Sequence, residues 1–218
     1  MRNTRLVLTD SANRYHENMS LLLSHAELMP PAPGEDVHPS LALANSAGRQ
    51  DDPKEGDLLR TPERATQWMI ERNLAAPDVE LYDYCSNRLR EFRRAVRGVL
   101  GVAATGASPD EQAIAAINDA MMQIPSVTLL AWDGQRGFHA RQKYAETQAV
   151  EQALSTIAAD VLNLVTGEAA AMLTQCAAPS CGRFMLRTHA RRQWCSTRCG
   201  DRVRAARAYA KKNSRTLT

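Results

Sequence analysis

Four cysteines in the last quarter of the chain, Cys176, Cys181, Cys195 and Cys199, follow the spacing C-x4-C-x13-C-x3-C. Each close pair can fold into a short chelating turn, and the spacer brings the second pair back to the first, which is what a tetrahedral Zn2+ ion asks of its thiolates. Four thiolates fill that shell, so the expected role is structural; a catalytic zinc keeps one position open for water. Iron–sulfur clusters also take four cysteines, but with other spacings. Disulfides suit small secreted domains, and the N-terminus offers only Leu6-Val7-Leu8 where a secretory signal needs a longer apolar stretch. The expectation is a cytoplasmic chain with reduced thiols. Cys85 stands alone in an amphipathic segment and reads as a small buried residue rather than a nucleophile. His189 lies between the thiol pairs and reads as an exposed or phosphate-contacting group rather than a fifth ligand. His16, His25, His38 and His139 have no second ligand at helical spacing, so no second metal site is expected.

The cysteines overlap a concentration of positive charge. Residues 183–218 hold nine Arg and two Lys against the single acid Asp201, a net of +10, whereas residues 1–182 hold 16 basic and 23 acidic residues, a net of -7; together they give the chain's +3. A basic module on a mildly acidic body attracts phosphates to one end only, which is the electrostatic layout of a nucleic-acid reader carried by a regulatory domain. No apolar run approaches the roughly 18 residues of a membrane span.

The elements that must position these groups are mostly helical. Pro30-Pro31-Ala32-Pro33-Gly34 breaks any helix, so residues 1–36 read as a leader of unsettled order. Leu41 to Asn45 reads as a short strand, followed by a polar loop from Gly48 to Gly56. Thr61 as N-cap with Pro62 behind it predicts a helix to about Asn73, with Ala65, Trp68 and Met69 inward. From Asp78 to about Ala104, Leu81, Cys85, Leu89, Phe92, Val96, Val99 and Val102 recur every three or four residues on one helix, whose end Gly98 and Gly101 should weaken. Ser108 and Glu111 form a capping-box pattern opening a helix to about Met122. Val127–Trp132 and Phe138–Tyr144 around Asp133-Gly134 predict a hairpin. Val150, Leu154, Ile157, Val161, Leu164 and Val165 mark a helix from about Ala145 to Thr166 whose stripe is either core or a dimer seam. The fold class is therefore mainly α: a helical domain over residues 37–172 with a small β element, and a small zinc module over 173–218.

Within that module, Phe184-Met185-Leu186 and Arg192-Gln193-Trp194 flank Thr188-His189-Ala190 and suggest a hairpin, with Phe184 and Trp194 as a small core beside the metal. Ser196 is a good N-cap for a helix from Thr197 to about Lys212. Knuckle, hairpin and helix in that order resemble treble-clef zinc modules. On a helical wheel Cys195, Cys199, Val203 and Ala206 face the metal, Arg204, Arg207 and Lys211 point away, and Arg198, Arg202 and Tyr209 line a flank. Such a helix can enter a major groove, while Arg187, Arg191 and Arg192 are better placed for backbone phosphates.

At these residues the sequence resembles the CGNR zinc-finger family, whose module carries two Cys, an Arg-rich stretch, then W-C-S-x-x-C-G-N-R leading into a basic helix. The matching run is Trp194-Cys195-Ser196-Thr197-Arg198-Cys199-Gly200-Asp201-Arg202, with Asp201 in place of the family's Asn. An Asp cannot donate the amide's hydrogen bond to a phosphate or base, but it can pair with Arg198 or Arg204. Leu41–Asn45, Leu58–Leu74 and Leu89–Leu100 resemble segments of the helical N-terminal domain that members carry, named for stress-induced transcription regulation. The resemblance implies a bacterial, zinc-dependent, double-stranded-DNA-binding transcriptional regulator whose N-terminal domain senses a ligand or partner.

Two other function classes stay in view. A zinc adaptor could use the same basic face on a protein such as RNA polymerase, and competition by duplex DNA separates the two. An enzyme is the least expected, because no phosphate-cradling Gly-rich loop, nucleophile elbow or HExxH is present. Arg88, Arg90, Arg93, Arg94 and Arg97 crowd one helix, and Arg93 with Arg97 is the candidate pocket for a small anionic effector. A homodimer would suit a palindromic operator.

Overall fold

The computed structural model describes residues 29–47, 56–123, 126–144 and 149–216. From Pro31 onward they belong to one compact unit, Pro31–Thr218. The leader expected over residues 1–36 lies outside the described residues up to position 28, as does most of the Gly48–Gly56 loop. The described elements are α1 (Pro39–Asn45), α2 (Pro62–Glu71), α3 (Asp83–Thr105), α4 (Glu111–Gln123), β1 (Ser126–Asp133), β2 (Gly137–Tyr144), α5 (Ala149–Thr166), a 3-10 turn (Glu168–Met172), β3 (Leu173–Gln175), β4 (Phe184–Leu186) and α6 (Thr197–Thr216). The fold is mainly helical with two small antiparallel hairpins, β1–β2 and β3–β4. No described helix is long and apolar enough to cross a membrane.

The strand expected at Leu41–Asn45 is a helix. Pro39 at the first helical position has the φ a helix needs and no N–H to leave orphaned. The next orphan, the Ser40 N–H, donates to Asp160 Oδ2 of α5 at 2.9 Å, and Asp160 also accepts from Ser40 Oγ and meets His38 Nδ1 at 2.9 Å. A carboxylate 120 residues away thus caps α1 and complements its dipole. Ser40, Leu41, Ala42, Leu43 and Ala44 are all buried, so the helix has no solvated face and no amphipathic period to read.

Around α1 the helices α2, α3, α4 and α5 close the core. Thr61 Oγ1 accepts from Arg64 N, and Ala65, Trp68 and Met69 are buried as the spacing predicted. α3 begins at Asp83, five residues later than expected, because the extended segment before it is tied to α2 by Leu81 N donating to Thr66 Oγ1. It then runs unbroken through both glycines to Thr105 and ends at Gly106, whose φ of 71° is the left-handed conformation of a helix stop. At Gly98 a Cβ would lie 3.3 Å from the Ala113 Cβ, so the missing side chain lets α4 pack close. The cap of α4 is Asp110, which accepts from Gln112 N at 2.9 Å, rather than Ser108. On α5, Val150, Leu154, Ile157, Val161 and Leu164 are buried in the same cluster as Leu41, Leu89, Phe92 and Val96, so the stripe is core and not a free dimer seam. Cys85 is half-buried against this cluster, in keeping with a packing role.

β1 and β2 pair as expected, with Trp132 opposite Phe138 and Leu130 opposite Ala140. Leu130, Trp132 and Phe138 are 78%, 66% and 76% exposed on that shared face.

One buried ion pair fixes the loop before α2. Arg93 of α3 donates to both oxygens of Asp57 at 2.7 Å and to Ser46 Oγ at 3.0 Å. Burial works to raise the Asp57 carboxyl, but the Arg93 hydrogen bonds, the Leu59 N–H and the Arg93 charge outweigh it and hold the group below its usual value. A carboxyl depressed on folding contributes stability above its unfolded pKa and loses it as pH falls through the folded one. Asp57→Ala is therefore expected to cost about 3 kcal/mol in urea unfolding at neutral pH, because it leaves Arg93 buried and unpaired. The difference from wild type should shrink below about pH 4; a gap that stays constant to pH 2 would contradict the pairing.

Candidate metal centre and nucleic-acid interface

β3 and β4 pair antiparallel, Leu173 with Leu186 and Gln175 with Phe184, and Cys176 and Cys181 lie in the loop between them. The expected hairpin between 184–186 and 192–194 is thus replaced by one that has the first thiol pair at its tip. Leu173-Thr174-Gln175 has too little apolar patterning to read as a strand; it forms because Leu173 buries against the core. Cys176 N donates to Arg183 O at 2.8 Å and Cys181 N to Ala178 O at 3.2 Å, which tightens the loop into a knuckle. That tightness needs left-handed backbone at Ser180 and Gly182, with φ of 58° and 64°. The 192–194 segment returns through one bond, Ala177 N to Gln193 O at 2.9 Å.

The second pair comes from the start of α6. Ser196 Oγ accepts from Cys199 N at 3.3 Å, the expected cap, and Cys195 and Cys199 then lie one turn apart. All four sulfurs are buried and within 4.8 Å of one another. Cys181, Cys195 and Cys199 form a triangle with 3.6 Å sides. A tetrahedral ion with metal–sulfur bonds of about 2.3 Å needs edges of about 3.8 Å, so the cluster fits Zn2+. Disulfide bonding needs about 2.05 Å, and all four thiols are free.

The cluster favours a thiolate at Cys176 and protonated thiols at Cys181 and Cys195. Cys195 N donates to Cys176 Sγ at 3.3 Å, and Arg183 Nη1 lies 3.9 Å from Cys195 Sγ. Hydrogen bonds from Cys181 and Cys195 pull Cys176 down to about 2. The bond to Cys176 pushes Cys181 up to about 11, and those to Cys176 and Cys181 push Cys195 up. Four packed sulfurs cannot all carry charge until a cation shares it.

The knuckle is fastened to the helical body. Arg97 of α3 donates to Ala44 O at 2.6 Å and Gly182 O at 2.9 Å and stacks over the Phe184 ring at 5.3 Å. The Asn45 side chain acts as an extra strand edge: its Oδ1 accepts from Phe184 N and its Nδ2 donates to Phe184 O, both at 2.8 Å. Glu35 Oε1 accepts from Asn45 Nδ2 and from Arg183 Nη2, each at 2.6 Å. Arg93 and Arg97, expected to form an anion pocket, have their donors turned inward onto Asp57, Ser46, Ala44 and Gly182; the structure places them in the scaffold. Sequence reasoning missed Glu35, Asn45, Arg183 and Asp160. Each acts through a partner far along the chain, and no local pattern marks it.

Residues 37–168, well over half the chain, match the family described as ABATE, "Putative stress-induced transcription regulator". The chain belongs to the ABATE family. Residues 172–212 match the CGNR zinc finger. A search of curated proteins finds no match. In this ABATE protein the CGNR finger packs on the ABATE helices through Phe184, whose ring joins their core instead of sitting beside the metal with Trp194.

The basic residues divide into two groups. Arg202 Nη2 donates to Pro179 O at 2.7 Å and ties α6 to the knuckle. Arg204 pairs with Asp201 and lies over the Trp194 ring at 5.8 Å, so of the two partners open to Asp201 the structure has Arg204. At Gly200 a Cβ would meet Trp194 at 3.1 Å, which explains a glycine inside the first turns of a helix. Arg187 Nη2 reaches Thr174 Oγ1 at 3.3 Å. Arg192 is half-buried, while Arg191, Arg198, Arg207, Lys211 and His189 are exposed. Val203 is buried as expected, but Ala206 is exposed: the packed part of α6 ends one turn earlier than the wheel suggested.

Proposed function

We propose that this protein is a non-enzymatic, zinc-dependent transcriptional regulator that binds double-stranded DNA through α6. The observation that carries the reading is the pose of that helix. Its first two turns are held by Cys199 and Val203, with Cys195 just before them, and every residue from Arg204 to Asn213 is exposed. Ten residues project about 15 Å, and a helix about 10–12 Å across matches the roughly 12 Å major groove. α6 carries seven basic residues against Asp201 alone. Four thiolates on Zn2+ would hold this rod at a fixed angle to the body; the ion supplies structure, and the arginines supply the contacts.

Affinity for duplex DNA is expected to fall steeply with salt, with a log–log slope of about -0.9 per phosphate neutralised. Arg207→Ala is the clean test, since Arg204 also packs on Trp194. It should weaken a selected site by about 1–3 kcal/mol if Arg207 reads a base, or lower the salt slope by about 1 if it holds a phosphate. Fluorescence anisotropy across a salt series measures both. Unchanged affinity and unchanged slope would remove α6 as the reading helix and favour the protein-adaptor reading.

A further inference from the structure

The three helices α3, α4 and α5 border a half-open apolar recess of about 350 Å³, floored by the core residues Ile117 and Val161. Its wall includes Val99, Val102, Ile114, Met121, Val161 and Val165. The polar members of the lining, Asp110 and Asn118, are both exposed and so stand at its mouth. A recess of this size walled almost wholly by apolar side chains is far larger than the small voids left in packed interiors of density about 0.74. It falls at the small end of the roughly 300–1,000 Å³ typical of ligand sites.

We infer that this cavity is a binding site for a small, neutral, apolar molecule, of about the bulk of a two-ring aromatic. The chemistry of the wall decides the class. No cationic side chain lines it, so an anion would lose its water without compensation, whereas an apolar ligand gains by leaving water. The volume decides the size: it suits a compact molecule.

The position gives the ligand a route to the finger. Val99 and Val102 on α3 line the cavity, while Arg97 on the same helix donates to Gly182 O in the knuckle. One turn on from Arg97, a Cβ at Gly101 would lie 4.0 Å from the Phe184 ring. α3 is thus a rigid bar with the cavity on one side and the knuckle on the other. A ligand that shifts or stiffens α3 against α4 and α5 acts on the loop that holds Cys176 and Cys181.

The test uses the full-length metal-loaded protein without DNA, so its result is independent of whether α6 binds DNA. Prodan, a neutral naphthalene dye, is titrated and then displaced with naphthalene. Saturable one-to-one binding with a blue-shifted emission, displaced by naphthalene, is expected. Ile114→Asp brings a charge to the half-exposed edge of the wall, and Ala103→Trp fills the space; each should weaken binding by about tenfold or more, with the melting curve confirming a folded protein. Trp132→Ser, in the exposed hairpin face, should leave binding unchanged. Hydrogen exchange with and without naphthalene should then show altered protection at residues 176–184 as well as on α3. The site is overturned if binding is not saturable, if both wall variants bind as wild type, or if only Trp132→Ser abolishes it. The link to the finger is overturned if protection changes stop at the cavity.

Discussion

Full chelation is expected to free α6 and erase its helical signal while the ABATE helices stay folded. α6 is a 20-residue helix held to the rest by Cys195 just before it and by Cys199, Val203 and the Arg202 bond to Pro179 O within its first two turns. A free helix of that length is marginal in water, and Gly200 weakens it further. Structural zinc contributes roughly 10–16 kcal/mol at neutral pH in small modules, far more than those remaining contacts. The core around Leu41, Leu89, Val96, Leu154 and Ile157 contains no metal ligand. Because Asn45 brackets Phe184 and Leu186 N donates to Pro33 O at 2.9 Å, β4 should remain docked, so loss is confined to the knuckle and α6 instead of spreading over all of 173–218. Circular dichroism before and after chelation should lose a helical fraction matching 20 of 218 residues, and DNA binding with it. Elemental analysis confirms removal; an unchanged helical signal in protein shown to be metal-free sinks the anchoring argument. Binding of the ion displaces protons from Cys181 and Cys195, whose thiols are pushed up, so affinity should rise with pH through neutrality and fall in acid.

The metal site was legible because its information is local: two thiol pairs, a capping Ser196 and a run of arginines all sit within 43 residues, and the structure brings the four sulfurs together. The long helices were legible for a similar reason, since Leu89, Phe92, Val96 and Leu154, Ile157, Val161 face one core at helical spacing. What failed was whatever depended on distant partners. α1 is a short apolar run that reads as a strand, yet it is a helix because Asp160 caps it and the core surrounds it. β3 exists because Leu173 has a place in the core and Leu186 to pair with. Arg97 looked like an effector ligand because five arginines on one helix suggest a solvated or anion-binding face; the carbonyls of Ala44 and Gly182 that claim it belong to other elements. A sequence lists donors readily and does not show which acceptors the fold will bring to them.

Removing Glu35 should be among the most damaging single changes outside the metal ligands. Its carboxylate is 5% exposed and accepts from both Arg183 Nη2 and Asn45 Nδ2 at 2.6 Å, joining the knuckle, α1 and the turn before it. Glu35→Ala takes the carboxylate from the buried Arg183 guanidinium and should cost about 3–5 kcal/mol in urea unfolding, whereas Arg183→Ala leaves the carboxylate with Asn45 Nδ2 and with Arg72 at 4.0 Å and should cost less. The double variant leaves neither charge unpaired, so its cost should fall well short of the sum, with a coupling of about 0.5–3 kcal/mol. Additive losses would show that the two residues act separately and that the pair does not hold the finger to the body. A second readout separates the partners. Arg183 also lies 3.9 Å from Cys195 Sγ, within reach of the thiolate charge, whereas Glu35 meets Arg183, Asn45 and Arg72. Arg183→Ala should therefore speed metal loss to a chelator more than Glu35→Ala does, despite its smaller loss of stability, because it removes both the dock and a cation that favours thiolate at the metal centre.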